Sequence, residues 1–505
     1  MKPGQRHSEG EGRLAAVLLA VVLLGSPAAC ARSSEPAPGA MPAPAPAAPP
    51  NLVLVSIDTL RADHLGCYGH SLPTSPNLDA LAAESIRYAE AVSPAGWTFP
   101  AHVALLTGRH PYELGLRGDP AEIPAPATTL AEILHRRGYQ TAAFVDSAPD
   151  GFVGSRWGFA RGFDVYQHAP HVTGLPPVFK YDVRATVAAA LAWLDTRDRS
   201  RPFFLFLHTK SAHAVPRGAA CDDPRCFPYD KPEPYRSRFL GEGGARSFSW
   251  GAPGLGHAQD FLWALDHALV DGRALPAPLT LPADAADTLA RLYDGGVAYV
   301  DDGVRRLLEG LRGRALDAGT ALAFTADHGE AFGEHRFFMH MDVYQEVLHV
   351  PLIVRPPGGV RGVVVDAPVS TVALAGTLLD VLGAGDELAA LPRLPRAGDG
   401  AARTAPIHAY YRLPSEIRYE AYALREGRFK LVLHDPGIAG ARSLELFDLD
   451  VDPAERAPVL DQPERLAAMS ARLDLWRGSP AGSSDGTSSR PEAPNELLRS
   501  LGYVE

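Results

Sequence analysis

Four short apolar runs in this chain lead directly into residues able to hold a cation or move a proton. Asp58 follows NLVLVSI (Asn51 to Ile57), and Asp146 follows TAAFV (Thr141 to Val145). His208 and His213 follow PFFLFL (Pro202 to Leu207), and Asp327 with His328 follow ALAFT (Ala321 to Thr325). Two carboxylates and an imidazole converging on one sheet edge make a divalent-metal site whose ligand types suit manganese, zinc or calcium. A lone acid after a strand is more often a turn residue or helix cap, and Asp146 is read that way. Thr98 has a hydroxyl two residues before Pro100, and a helix running through VALLTG with Pro in its first turn puts Thr98 at or beside its N-terminus. The residues alone leave two roles open for it. It is either a cap that satisfies backbone N–H groups, or a nucleophile whose alkoxide the helix end and a metal would favour.

These residues need a scaffold that brings strand ends together. From Asn51 the chain repeats a short apolar run, a polar cluster and a longer helical segment, the pattern of a mostly parallel sheet covered by helices. Uninterrupted apolar runs suit strands buried on both faces, and ligands in such sheets bind beyond the carboxyl ends of the strands. Helices are predicted at Asn77 to Ser85, Leu130 to Arg137, Asp182 to Asp195 and Ala285 to Leu311, the last as one bent helix or two. The runs EAYAL and FKLVLH predict a smaller antiparallel sheet against the main domain.

The 505 residues carry 48 Lys plus Arg against 59 Asp plus Glu, a net charge of −11. That balance argues against a nucleic-acid partner. With 46% hydrophobic and 21% charged residues, neither wholesale disorder nor a multi-spanning membrane protein fits. Basic residues precede the run from Leu14 to Leu24, which is short for a bilayer span and reads as a signal peptide over residues 1–30. Ordinary secretion and lipidation of Cys30, which would tether the chain to a membrane, both remain open, and either exports the chain to the periplasm or outer surface. Residues 31–50 are a Pro/Ala-rich linker. The expected organisation continues with a catalytic domain at 51–383, a carboxyl-terminal α+β subdomain at 384–477, and a flexible segment and tail at 478–505. Cys221 and Cys226 are close enough in sequence to pair in an oxidising compartment, leaving Cys67 free. The long, Gly-rich loop from Ala219 to Ala258 is where pocket specificity would reside.

NLVLVSIDTLRADHLGCYG (Asn51 to Gly69) resembles the opening of sulfatases in the alkaline phosphatase superfamily. WTFPAHVALLTGRHP resembles their nucleophile segment, LHTKSAHAVP their central His segment and FTADHGEAFGEH their second metal segment. RFKLVLH, SLELFDLDVDPAE and the closing LRSLGYVE resemble their carboxyl-terminal region. The resemblance implies an alkaline-phosphatase-like fold in which Asp58, Asp327 and His328 hold a divalent cation and Thr98 occupies the nucleophile position, itself on the metal. His340 falls where sulfatases often carry an anion-binding Lys.

The departures from the family are chemical. Sulfatases proper need Cys or Ser in a C/S-x-P-x-R motif, because oxidation to formylglycine supplies the nucleophile; here the motif reads Thr98, Phe99, Pro100, Ala101, His102. The methyl on the Thr β-carbon would make the oxidised product a ketone. Thr resembles instead the superfamily's phosphonate and phosphodiester hydrolases, lipoteichoic acid synthases and phosphoethanolamine transferases, which points toward phosphorus. Asp327-His328 replaces an Asp-Asn pair, and nitrogen favours a transition metal over calcium. The expected mechanism has Thr98 attack sulfur or phosphorus. His213, His340 or His102 would stabilise the non-bridging oxygens or protonate the leaving alcohol, and Lys210, expected to be solvated like most surface lysines, contributes weakly. The leading reading is an exported, metal-dependent hydrolase of sulfate or phosphate esters with a small-molecule, glycan or lipid substrate. The alternatives are a phosphodiesterase or phospho-headgroup transferase, and a degenerate binding protein without catalysis.

Overall fold

The computed structural model describes residues 49–168, 181–214, 229, 231–241, 258–271, 284–386, 389–396, 405–412 and 419–478. The signal peptide, almost all of the linker, Cys30, Cys221, Cys226, most of the 219–258 loop and the tail lie outside them.

The main sheet has nine strands: β1 (Asn51–Ile57), β2 (Ile86–Val92), β3 (Gln140–Val145), β4 (Val165–His168), β5 (Phe203–Thr209), β6 (Thr320–Ala326), β7 (His349–Arg355), β8 (Val363–Val365) and β9 (Val369–Ser370). Their order is β4-β3-β5-β1-β6-β7-β2-β8, with β9 also paired to β2. Among the described residues, only the β6–β7 and β7–β2 pairs of this sheet are antiparallel. The four strands named from sequence are adjacent and parallel at the centre, and every side chain of β5 and β6 is buried. Burial on both faces is what selected their continuous apolar runs. In the register, Ile57 pairs with both Thr209 and Ala326. The next residues, Asp58, Lys210 and Asp327, therefore emerge abreast at the carboxyl edge.

The predicted long helix is one unbroken element, Ala285–Gly313. It packs on the Val183–Thr196 helix at close range because Gly303 and Gly310 present no side chain: a Cβ on Gly303 would sit 2.4 Å from Val183 Cγ2, and one on Gly310 2.5 Å from Leu191 Cδ1. The helix predicted from Asn77 ends earlier than expected, spanning Pro76–Ala82. Its N-terminus is held from a distance, since the buried Asp301 carboxylate accepts from the Asn77 and Leu78 N–H groups at 3.1 and 2.9 Å and from Asn77 Nδ2 at 2.6 Å. Asp301→Ala leaves these donors, the Leu78 N–H buried and those of Asn77 half-buried, without this acceptor and is expected to cost about 1–3 kcal/mol in denaturant unfolding. A loss under about 0.5 kcal/mol would show that solvent supplies the cap.

A second, antiparallel sheet follows in the order β10 (Ile407–Arg412), β11 (Glu420–Glu426), β12 (Phe429–His434) and β13 (Ser443–Asp448). The Pro463–Gly478 helix buries Met469 and Leu473 against it. It is joined to the main domain by polar groups: Asp342 accepts from the Tyr419 hydroxyl at 2.6 Å and pairs with His434 at 3.0 Å, and the Gln345 N–H donates to Glu455 Oε2 at 2.7 Å, a carboxylate that Lys430 also pairs with at 2.8 Å. His335 stands at this junction, with Nδ1 2.7 Å from Glu346 Oε1 and Nε2 2.9 Å from the Glu455 carbonyl. Burial alone would lower its pKa, but the Glu346 carboxylate and the Glu455 carbonyl outweigh it and lift the imidazole from 6.5 to about 9. A raised folded pKa gives stability that is fully present below the unfolded value and lost as pH climbs through the folded one. His335→Asn, chosen because this position has a φ of 47°, should therefore cost about 1–2 kcal/mol near pH 6, allowing for screening at the exposed edge, and almost nothing above about pH 10. A penalty independent of pH in paired melts would exclude the charge as its source.

Candidate active site

The carboxyl edge of β1 is shaped by Thr59, a β-branched residue with a φ of 60°. Such a conformation is costly and persists where surrounding bonds fix it. The Tyr293 hydroxyl donates to the Thr59 carbonyl at 2.7 Å, the Thr59 hydroxyl donates to the Asp58 carbonyl at 2.7 Å, and the Thr59 N–H reaches Asp327 Oδ1 at 3.2 Å. The residue after Asp58 thus contributes a backbone donor that aligns the second carboxylate.

Asp58, Asp327, His328 and Thr98 converge from three elements, all without solvent exposure. His328 Nε2 lies 3.7 Å from Asp58 Oδ1 and 3.6 Å from Asp327 Oδ2. The Thr98 hydroxyl lies 3.3 Å from His328 Nε2 and 3.5 Å from Asp58 Oδ2. Thr98 is the first residue of the wholly buried Thr98–Thr107 helix, and the cap position belongs to Trp97. Its hydroxyl is directed at the acidic cluster, so the capping role left open by the sequence does not apply.

Lys210 corrects another expectation. It is buried, with Nζ 3.4 Å from Asp58 Oδ2 and the ammonium near the Phe152 and Tyr181 rings. Burial disfavours ionisation of Asp58, but Lys210 together with the surrounding His213, His328 and His208 outweighs it and keeps that carboxyl below its ordinary range. Burial and the adjacent Asp58 charge push Asp327 the other way, well above it. Two buried carboxyls this close do not both ionise freely, and a cation shared between them would offset their repulsion.

His102 Nδ1 lies 2.8 Å from the Thr98 carbonyl and Nε2 3.0 Å from Ser56 Oγ. Both nitrogens are engaged, so His102 braces the start of the Thr98–Thr107 helix, and burial takes its pKa down to about 4. His213 and His340 are buried rather than solvated loop residues, and their rings sit 5.5 Å apart. Burial lowers His213 to about 4 and His340 well below 6.5, leaving both neutral. Asp146 is outside the cluster: it accepts from Thr186 Oγ1 at 2.6 Å and from Thr209 Oγ1, tying the Val183–Thr196 helix to β5. His208 lies against the cluster, with Nε2 3.8 Å from Asp58 Oδ2. Sequence reasoning missed Glu330. It is fully buried, with Oε1 2.8 Å from His340 Nδ1, and its signal was its place two residues after His328 in TADHGE.

The donor set fits a divalent cation. Asp58 Oδ1 and Asp327 Oδ2 are buried without hydrogen-bond partners among the described residues. His328 Nδ1 is 2.9 Å from the Gly329 carbonyl, which can only accept, so the proton sits on Nδ1 and the Nε2 lone pair faces the carboxylates. These three residues offer ligand atoms within 4.8 Å of one another.

A central parallel sheet whose strand ends gather such a cluster around a helix-borne hydroxyl defines an alkaline-phosphatase-like ester hydrolase. Residues 50–384 match the family described as Sulfatase, and residues 333–475 match that of the N-sulphoglucosamine sulphohydrolase carboxyl-terminal region. The chain belongs to the sulfatase family. An N-acetylglucosamine-6-O-sulfatase of Bacteroides thetaiotaomicron is 24% identical, the match covering 82% of this chain and 83% of the relative. Among solved structures, a putative sulfatase yidJ from Bacteroides fragilis superposes with a TM-score of 0.64 at 20% identity, covering 86% of this chain and 97% of that one. The phosphonate monoester hydrolase of Agrobacterium radiobacter gives 0.62 at 22%, covering 85% and 95%.

Proposed function

We propose that this chain is an exported phosphorus-ester hydrolase that uses Thr98, unmodified, as its nucleophile. The observation that carries the reading is the Thr98 hydroxyl, set 3.3 Å from His328 Nε2 and 3.5 Å from Asp58 Oδ2 with no capping role to occupy it. Asp58, Asp327 and His328 would hold a divalent cation, which would supply Lewis-acid charge to acidify this hydroxyl and polarise the ester. Thr98 Oγ1 forms the bond to phosphorus as the bond to the leaving oxygen breaks, the hydroxyl's proton ending on that oxygen to release the alcohol, and the helix N-terminus favours the transient alkoxide at this position. Lys210 adds the fixed positive charge beside Asp58 that an anionic ester requires. The neutral imidazoles of His213 and His340 lie beside the cluster. Water then displaces Thr98 and restores it.

Phosphorus is favoured because Thr cannot become formylglycine. The relatives' names span both chemistries, a glycan sulfatase and a phosphonate monoester hydrolase, so a small-molecule or glycan ester fits the family. Export rests on the charged-then-apolar pattern of the first 30 residues. The test is a panel of aryl sulfate, aryl phosphate, phosphonate monoaryl ester and bis-aryl phosphate, each with metal-replete enzyme. A higher kcat/KM for at least one phosphorus ester than for the sulfate is expected. Dominant sulfate release would overturn the preference.

A further inference from the structure

We propose that His208 is a positioning residue for the metal centre: it holds Asp58 Oδ2 from the protein side, so that Asp58 offers Oδ1 to the cation. This rests on the reading above, because it presumes that Asp58, Asp327 and His328 hold a divalent ion.

The two oxygens of Asp58 have different surroundings. Oδ2 faces three donors, Lys210 Nζ at 3.4 Å, the Thr98 hydroxyl at 3.5 Å and His208 Nε2 at 3.8 Å. Oδ1 is buried without a hydrogen-bond partner among the described residues and lies 3.7 Å from His328 Nε2. Protein donors on one oxygen and an open second oxygen are what orients a carboxylate as a metal ligand. Of the three donors, Thr98 gives up its contact when its oxygen attacks, and Lys210 reaches Asp58 on a flexible four-carbon stem. The imidazole is the one held in place by the sheet.

His208 stands on β5 abreast of Ser56 on β1 and Val145 on β3, has no solvent exposure, and meets the His102 ring edge to face with centroids 4.4 Å apart. Neither of its nitrogens has a partner in hydrogen-bonding geometry among the described residues. An Asp58 carboxylate can only accept, so the proton belongs on Nε2, the nitrogen that faces it. At 3.8 Å this N–H acts through charge and orientation, being too far for a full hydrogen bond. Packing does not account for the residue. Phe204 and Phe206 precede it at alternate positions of β5, on the same face and fully buried. A third phenylalanine would fill the place without burying two polar nitrogens.

Metal affinity tests this without reference to turnover. The chelator-stripped full chain is titrated with Mn(II), the free ion being read by paramagnetic resonance, for wild type, His208→Phe and His208→Gln. Phenylalanine fills the ring's space without an N–H, whereas glutamine carries one at nearly the reach of Nε2. The Kd is expected to rise about 10–100-fold in His208→Phe, the usual loss for a partner of a metal ligand, and to stay within about threefold of wild type in His208→Gln. Co(II)-loaded protein gives a second signature, visible bands that shift in His208→Phe and keep the wild-type pattern in His208→Gln. Melts in chelator separate positioning from packing: because neither His208 nitrogen is hydrogen-bonded among the described residues, His208→Phe should melt level with wild type or above it. If that variant does not fold by circular dichroism, His208→Leu takes its place in the titration with the same expected Kd. A Kd in the apolar variant within about threefold of wild type overturns the role of His208 and leaves the proposed function standing. Equal weakening in the apolar and glutamine variants, or a His208→Phe protein that melts well below wild type in chelator, assigns the residue to packing and overturns the role as well. No metal bound by wild type overturns both.

Discussion

Thr98→Ala is expected to lower kcat by roughly 10³–10⁵-fold, the range for loss of a nucleophile whose surroundings stay intact. The fold should tolerate the change. Thr98 occupies the first helical position, its hydroxyl caps no backbone group, and alanine is a better helix former than threonine. Affinity for metal should weaken only modestly, because the Asp58, Asp327 and His328 ligands remain. Thr98→Ser keeps the hydroxyl and should retain activity within about tenfold of wild type, since the missing methyl group only loosens its position. The pair of variants isolates the oxygen atom as the cause. Steady-state kinetics on the best ester of the panel, with metal content measured on the same samples, reads this out. An alanine variant with more than about a tenth of wild-type kcat and a full metal complement would mean that water attacks directly.

Stripping the metal should produce the largest change in stability. Asp58 and Asp327 are wholly buried, share His328 between them, and have opposed pKa shifts, so without a cation folding must either hold two adjacent negative charges or keep Asp327 protonated, and either costs stability. A cation at a thousand times its Kd contributes about 4 kcal/mol, a Tm difference on the order of 4 °C for a chain of this length. Asp327→Asn gives a sharper test because its sign reverses with loading. It removes a ligand, so with metal present the variant should melt below wild type. It also removes the repulsion, so in chelator it should melt level with wild type or above it. Calorimetry on both proteins in both conditions checks this. A variant that melts equally far below wild type with and without metal would show that Asp327 is held by hydrogen bonds and not for a cation.

The strands at the heart of the sheet were legible because burial on both faces leaves a simple trace, an apolar run closed by polar residues. NLVLVSI is β1 to the residue, and PFFLFL, TAAFV and ALAFT fall within two residues of β5, β3 and β6. The acids and histidines just past those runs were equally visible, and with the TADHGE and LLTG blocks they were enough to assign the family. Chemistry at single positions also came through: the methyl of Thr98 and the nitrogen of His328 are properties of the residues themselves.

What the sequence could not settle depends on distance between segments. Whether the Thr98 hydroxyl caps a helix or faces two carboxylates is decided by where the Thr98–Thr107 helix docks. Lys210 reads as a surface lysine until the pairing of Ile57 with Thr209 sets it beside Asp58, and His102 reads as a catalytic imidazole until Ser56 and the Thr98 carbonyl take both its nitrogens. Glu330 is marked in the sequence only by its place two residues after His328, and the fold alone sets it facing His340 ten residues later and His213 from another strand end. Residue type and local pattern determined the elements and the ligand kinds; only the register of the parallel strands and the docking of loops decided which groups meet, because those are set by packing summed over the whole core.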